Sequence, residues 1–72
     1  MTKKMMEKRK RIENELAKKE LISSINSVIV EIENAYDNYN MATGALIDFY
    51  AYDIKAKQAR YHYLREQLKN IN

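Results

Sequence analysis

Apolar residues recur along the chain at alternating spacings of three and four positions, on both sides of a single glycine. Before the glycine, the repeat consists of Ile22, Ile25, Ile29, Ile32, Tyr36 and Tyr39. After it, the repeat consists of Ile47, Tyr50, Ile54, Lys57, Tyr61, Leu64, Leu68 and Ile71. This spacing places residues on one face of an α-helix and is typical of the coiled-coil seam between two packed helices. Strands would show alternation with a period of two, and none is sustained.

The segment near residues 40–45 is the only part of the sequence that is typical of a turn. The chain has no proline and one glycine, Gly44, and these residue types are the strongest breakers of regular structure. Glycine readily adopts the left-handed conformation that commonly ends a helix. Because a short turn makes two helices antiparallel neighbours, the sequence predicts an all-α antiparallel two-helix hairpin over residues 17–72. Within it, Lys57 should keep its stem on the seam and its ammonium in water.

Residues 1–16 are predicted to form a separate basic N-terminal arm. When the chain is folded about Gly44, the second helix ends opposite about residue 17, so earlier residues have no partner helix. Ile12 and Leu16 are also out of phase with the seam. The arm either extends the first helix or frays in solution.

A second apolar stripe is predicted on the second helix, about 140° around it from the seam. Its members are Phe49, Tyr52, Ala56, Ala59 and Tyr63. A helix that is apolar on two sides is normally buried on two sides. A chain of 72 residues without cysteine has a small core and no disulfide, so association is the expected source of further stability. We interpret the stripe as a face for a second copy or a helical protein partner, giving an oligomeric helical bundle. The alternative interpretation is a set of half-exposed tyrosines beside helices that cross obliquely.

Charge is segregated along the sequence. Residues 1–20 hold eight basic and four acidic side chains, residues 31–53 hold five acidic and no basic ones, and residues 55–72 hold five basic and one acidic. A hairpin therefore has a basic open end and an acidic turn. One hypothesis is nucleic-acid binding through the basic arm, by Lys3, Lys4, Lys8, Arg9, Lys10 and Arg11. Two others are base-to-turn self-assembly and plain solvated surface.

No pattern of catalytic or metal-binding residues is present. His62 is expected on the solvent side of the second helix, and Asp48 and Asp53 point in directions about 140° apart. The sequence has no glycine-rich phosphate loop and no nucleophile beside a base. The absence of cysteine and the single histidine argue against a structural zinc site. We predict a non-enzymatic protein without cofactor, metal or small-molecule substrate.

A membrane role is not expected. The longest apolar run, residues 28–30, is far too short to span a bilayer, and no export signal is recognisable. On the arm, Met5, Met6, Ile12 and Leu16 offer too little apolar area for firm anchoring. We expect a cytoplasmic location.

The second half of the chain also contains a recognisable sequence pattern. Leu46-Ile47-Asp48 opens the predicted second helix, and an alanine-rich middle leads into Ala59-Arg60-Tyr61-His62-Tyr63-Leu64-Arg65. Over about residues 46–69 the chain resembles the YaaL-like family, small proteins of Gram-positive bacteria that are classed as a domain of unknown function. It differs in having Ala42-Thr43-Gly44 in place of a proline-containing turn, and Tyr36 or Tyr39 in place of a tryptophan. The resemblance implies a cytoplasmic bacterial protein and supplies no activity and no site residues.

Overall fold

Two α-helices make up the protein in a computed structural model that describes the backbone of residues 3–71 and the side chains of residues 7–71. Helix α1 runs Lys3–Met41 and helix α2 runs Ala45–Lys69, and the two pack against each other. The molecule is a rod of 64 × 15 × 14 Å. No strand occurs in residues 3–71. The prediction of an all-α helical hairpin is therefore confirmed.

Three residues, Ala42 to Gly44, join the helices. Gly44 has φ +61° and ψ −136°, so its φ is positive but its ψ is not that of the left-handed helical region. The predicted role of Gly44 as the left-handed end of the first helix is thus wrong in detail. The glycine directly precedes α2, and its carbonyl accepts a hydrogen bond from the Ile47 N–H at 3.2 Å. The Thr43 carbonyl accepts from the Leu46 N–H at 3.3 Å, so the turn supplies the first acceptors of α2.

On α2, the seam runs through the predicted residues. Ile54 is buried, and the half-buried members are Tyr50, Lys57, Tyr61, Leu64, Leu68 and Ile71. Ile47 is the exception, because 41% of its surface is exposed. The seam of α2 therefore begins one turn later than the sequence pattern indicated.

On α1, the seam lies in a different phase from the predicted one. Val28 and Ala35 are 0% and 2% exposed, whereas Ile29 and Tyr36, predicted to lie in the seam, are 37% and 44% exposed. Among the described side chains of α1, the buried and half-buried positions are Ala17, Leu21, Ser24, Ile25, Val28, Ile32 and Ala35, and half-buried Ala42 follows in the turn. Both sets follow the three-four spacing and share Ile25 and Ile32. The observed set contains smaller side chains, which let the two backbones approach more closely.

The core is small. Among the described residues only Val28, Ala35 and Ile54 are buried. Lys57 lies at the seam as predicted, but its ammonium is not simply solvated: Nζ donates to the Asp53 carboxylate at 2.5 Å, one helical turn away. About a quarter of each side chain remains accessible, at 27% and 29%.

Helix α1 projects beyond the end of α2. It has 39 residues against 25, and the difference of 14 residues corresponds to about 21 Å of helix. Every residue from 7 to 16 is exposed, and Ala17 is the first half-buried residue among the described side chains of α1. We call residues 7–16 the overhang. The side chains of Lys3, Lys4, Met5 and Met6 lie outside the described residues.

Candidate interaction surfaces

All five residues of the predicted second stripe on α2 are exposed. Phe49, Tyr52 and Tyr63 have 59%, 71% and 62% of their surface open to solvent, and Ala56 and Ala59 are exposed as well. We call these five residues the α2 face. They lie on the side of α2 that points away from buried Ile54, so α1 does not cover them.

Two of the rings on the α2 face contact neighbouring side chains. The Phe49 ring meets the edge of Tyr50 with centroids 5.1 Å apart and an interplanar angle of 77°. The Lys55 ammonium lies 5.9 Å from the centroid of the Tyr52 ring, within the range of a cation–π contact. Tyr50 is half-buried at the seam, so the Phe49 ring contacts a residue of the seam.

Two contacts between the helices mark the opposite sides of the hairpin. Arg60 Nη1 lies 3.7 Å from Glu31 Oε2, and Gln58 Nε2 donates to the Tyr36 hydroxyl at 3.1 Å. Gln58 and Arg60 are two residues apart and so point in directions about 160° apart around α2. Arg60 follows Ala56 by four residues, so the α2 face lies toward the ion-pair side of the hairpin. Tyr36 lies on the other side.

A second exposed apolar surface lies on α1. Ile22, Ile29 and Tyr36 are 47%, 37% and 44% exposed and recur every seven residues, which places them on one side of the helix. We call these three residues the α1 face. The hydrogen bond from Gln58 to Tyr36 places this face on the side opposite the α2 face. Sequence reasoning assigned all three residues to the seam and so missed the surface.

The overhang carries four consecutive basic residues, Lys8 to Arg11, and all four are exposed. Consecutive helical residues are about 100° apart, so these side chains surround the helix and do not form one basic side. Glu7, Glu13 and Glu15 lie among or beside them. Lys3 and Lys4, the other two predicted anion-binding residues, have side chains outside the described part.

Enclosed sites are lacking in the described residues. A shallow depression of about 480 Å³ lies along α1, and all of its lining residues belong to that one helix: Lys19, Ile22, Ser23, Asn26, Ser27 and Val30. A surface formed by one helix cannot surround a ligand. Within residues 7–71 no three histidine or acidic side chains are close enough to hold a metal ion, and His62 is exposed as predicted. No described helix is long and apolar enough to cross a membrane.

Comparison with known proteins places the chain in a family. A family model described as "Protein of unknown function (DUF2508)" matches residues 5–72. The chain belongs to the DUF2508 family. The DUF2508 match covers all of α2, the turn and nearly all of α1, so the family unit is the whole hairpin with its overhang. Neither a curated protein nor a solved structure matches this DUF2508 member. Assignment to a domain of unknown function is confirmed, while YaaL-like identity and bacterial origin stay predictions.

Proposed function

We propose that this chain is a non-enzymatic interaction module that self-associates through the α2 face. The observation that carries the proposal is that Phe49, Tyr52 and Tyr63 each expose more than half of their surface along one side of a helix. Contiguous exposed apolar patches mark interaction sites. Tyrosine is favoured there because its ring packs while its hydroxyl finds a polar partner.

The exposed area of the molecule supports association. The accessible surface is 6072 Å². A compact monomer of 8.6 kDa exposes about 4,700 Å². The excess, roughly 1,400 Å², includes the exposed overhang, and an interface of standard size needs only ~800 Å² from each partner. Small domains need stabilisation beyond a single small core, and a second copy would supply it.

The α2 face is compatible with a two-fold axis. Ala56 lies at its middle, with Phe49 seven residues before it and Tyr63 seven residues after it. Antiparallel copies that meet at Ala56 place Phe49 of each against Tyr63 of the other, and the small alanines let the backbones approach. The same orientation sets the acidic turn of one copy beside the basic open end of the other.

Sedimentation equilibrium at micromolar concentration tests the proposal. We expect Ala56→Glu and Ala59→Glu to lower the average mass, because each buries a carboxylate without a partner in the interface. The matched control is Asn34→Glu, an exposed position on neither face that should keep the wild-type mass. Circular dichroism would establish that the variants remain helical. A monomeric wild type, or a mass that neither alanine variant changes, would contradict self-association through this face.

A second candidate function is nucleic-acid binding by the basic residues predicted from the sequence: Lys3, Lys4, Lys8, Arg9, Lys10 and Arg11. The observation that favours it is the exposure of residues 8–11 on a part of α1 that projects past α2. Binding to DNA or RNA should weaken steeply with salt because counterions are released. Deletion of residues 1–11 should abolish binding to nucleic acid. It should leave the number of copies in the oligomer, measured by sedimentation, unchanged. No retardation of any nucleic acid at low salt would exclude this function.

A further inference from the structure

Large apolar side chains on α1 remain open to solvent although the residues just before them are in the seam. Ile29 follows Val28, which is 0% exposed, and Tyr36 follows Ala35, which is 2% exposed. Ile22 likewise follows half-buried Leu21. The apolar surface of α1 is therefore wider than α2 covers. A helix with so wide an apolar arc normally contacts two neighbours.

The α1 face is self-complementary. Seven residues separate Ile22 from Ile29, and seven separate Ile29 from Tyr36. When two antiparallel copies of α1 meet at Ile29, that residue packs on its counterpart, and Ile22 packs on Tyr36 of the other copy at both ends. An interface with a two-fold axis requires this self-complementarity. The seven-residue repeat also suits two helices that wind around each other.

Charge selects the antiparallel orientation and a second copy as the occupant. The open end of the hairpin, residues 17–20 and 55–72, carries a net charge of +5, and residues 31–53 at the turn carry −5. Antiparallel pairing at Ile29 sets the open end of each copy beside the turn of the other, whereas parallel pairing sets like charges together. Complementary charge fixes partner and orientation in protein interfaces. We infer that Ile22, Ile29 and Tyr36 form a second interface between copies of this chain, with its two-fold axis at Ile29.

The two interfaces are compatible within one assembly. The bond from Gln58 to Tyr36 and the ion pair between Arg60 and Glu31 lie on opposite sides of the hairpin. A copy bound at the α2 face therefore leaves the α1 face open. A chain that uses both faces assembles beyond a dimer. The inference goes beyond the proposed function, because it rests on the other helix.

Sedimentation equilibrium of the full chain separates the two interfaces. We expect the wild type to exceed a dimer, Ile29→Glu and Ala56→Glu each to stop at a dimer, and the double variant to be a monomer. Asn34→Glu is the shared control and should match the wild type. Circular dichroism establishes that each variant is helical. Ile22→Glu is a second variant for the α1 face, because Ile22 is 47% exposed and its replacement should not disturb the core.

The outcomes distinguish the inference from the proposed function. If Ile29→Glu and Ile22→Glu are helical and keep the wild-type mass, the α1 face is not an interface, whatever Ala56→Glu does. If Ile29→Glu halves the mass and Ala56→Glu does not change it, the inference stands and the proposed use of the α2 face fails.

Cross-linking tests the position of the axis. The chain has no cysteine, so Ile29→Cys introduces a single thiol. A two-fold axis at Ile29 brings the two introduced thiols together, and mild oxidation should yield a covalent dimer, since a disulfide needs Cα atoms within about 7 Å. The control is Val30→Cys, whose side chain is 54% exposed but about 100° further around α1. Equal cross-linking of both variants would overturn the proposed axis.

Discussion

At the scale of single residues, the conformation of Gly44 is the strongest constraint in the turn. Its φ of +61° lies in a region that side chains with a Cβ rarely adopt. A Cβ built on Gly44 would meet no atom within 4 Å. Any cost of substitution is therefore backbone strain, which is about 1–3 kcal/mol for such conformations.

We predict that Gly44→Ala lowers the free energy of unfolding by about 1–2 kcal/mol, because alanine must adopt the positive φ. Urea unfolding followed by circular dichroism, at one fixed protein concentration, measures the change. Thr43→Ala, at the exposed neighbouring position, is the control and should stay within about 0.5 kcal/mol of the wild type. An equal stability of Gly44→Ala and wild type would mean that the turn relaxes without strain.

A matched pair of valines tests which side of α1 is in the seam. Val28 is 0% exposed and Val30 is 54% exposed, so the same change to alanine removes buried methyl groups at one site only. Val28→Ala should cost about 2 kcal/mol. Val30→Ala should change stability by no more than about 0.5 kcal/mol, measured by the same unfolding experiment. A larger loss of stability from Val30→Ala would mean that Val30, and not Val28, lies in the seam.

At the scale of the helices, the sequence predicts the two elements, the turn and the seam of α2 from Tyr50 onward, because apolar residues keep the three-four spacing there with Lys57 as the one polar member. It does not predict the phase of α1. At Val28 and Ile29, and again at Ala35 and Tyr36, adjacent residues are both apolar, and the sequence pattern favoured the larger ones. In the packed hairpin the smaller residue of each pair is the buried one.

The α2 face could be predicted from the sequence, whereas the α1 face could not. The members of the α2 face lie so far around the helix from the seam that no phase of packing could bury them against α1. Ile22, Ile29 and Tyr36 directly follow seam residues of α1. A rotation of α1 about its axis by one residue, about 100°, would therefore bury them. Only the packed pair of helices shows that this second surface is open.

The pairing of the helices should depend on the seam far more than on the ion pair between them. Arg60 and Glu31 are 3.7 Å apart with 60% and 47% of their side chains accessible, and exposed pairs contribute about 0–1 kcal/mol. We expect Glu31→Gln to change the free energy of unfolding by less than about 0.5 kcal/mol, whereas Ile54→Ala should lose about 2–4 kcal/mol. Urea unfolding of both variants measures the difference. Comparable losses would show that the surface contact orients the helices.

At the scale of the whole molecule, the hairpin is far from spherical. Its radius of gyration is 18.0 Å. A compact domain of 72 residues has a radius of gyration of about 11 Å. The rod has apolar surfaces on opposite sides, basic residues at the open end and acidic residues at the turn. Such a molecule offers long surfaces for side-by-side contact and little interior for a ligand.

Charge at the two ends should make the proposed antiparallel association sensitive to salt. Antiparallel copies place the acidic turn beside the basic open end, and the Debye length falls from about 10 Å at 0.1 M salt to about 3 Å at 1 M. We predict that the dissociation constant from sedimentation rises between these two concentrations. Helicity should be the same at both, which serves as the control. Association that strengthens with salt would favour parallel copies with like charges together.

The three-residue turn also has a consequence for the order of folding. The buried residues nearest to it, Ala35 and Ile54, are only 19 positions apart in sequence. Closing a short loop costs less entropy than closing a long one, and local contacts form fastest. We expect the hairpin to form from the turn toward the open end, with the overhang-proximal contacts of Ala17 and Leu21 made last. The backbone strain of Gly44→Ala would then slow folding more than it speeds unfolding, so position 44 affects how fast the hairpin forms as well as how stable it is.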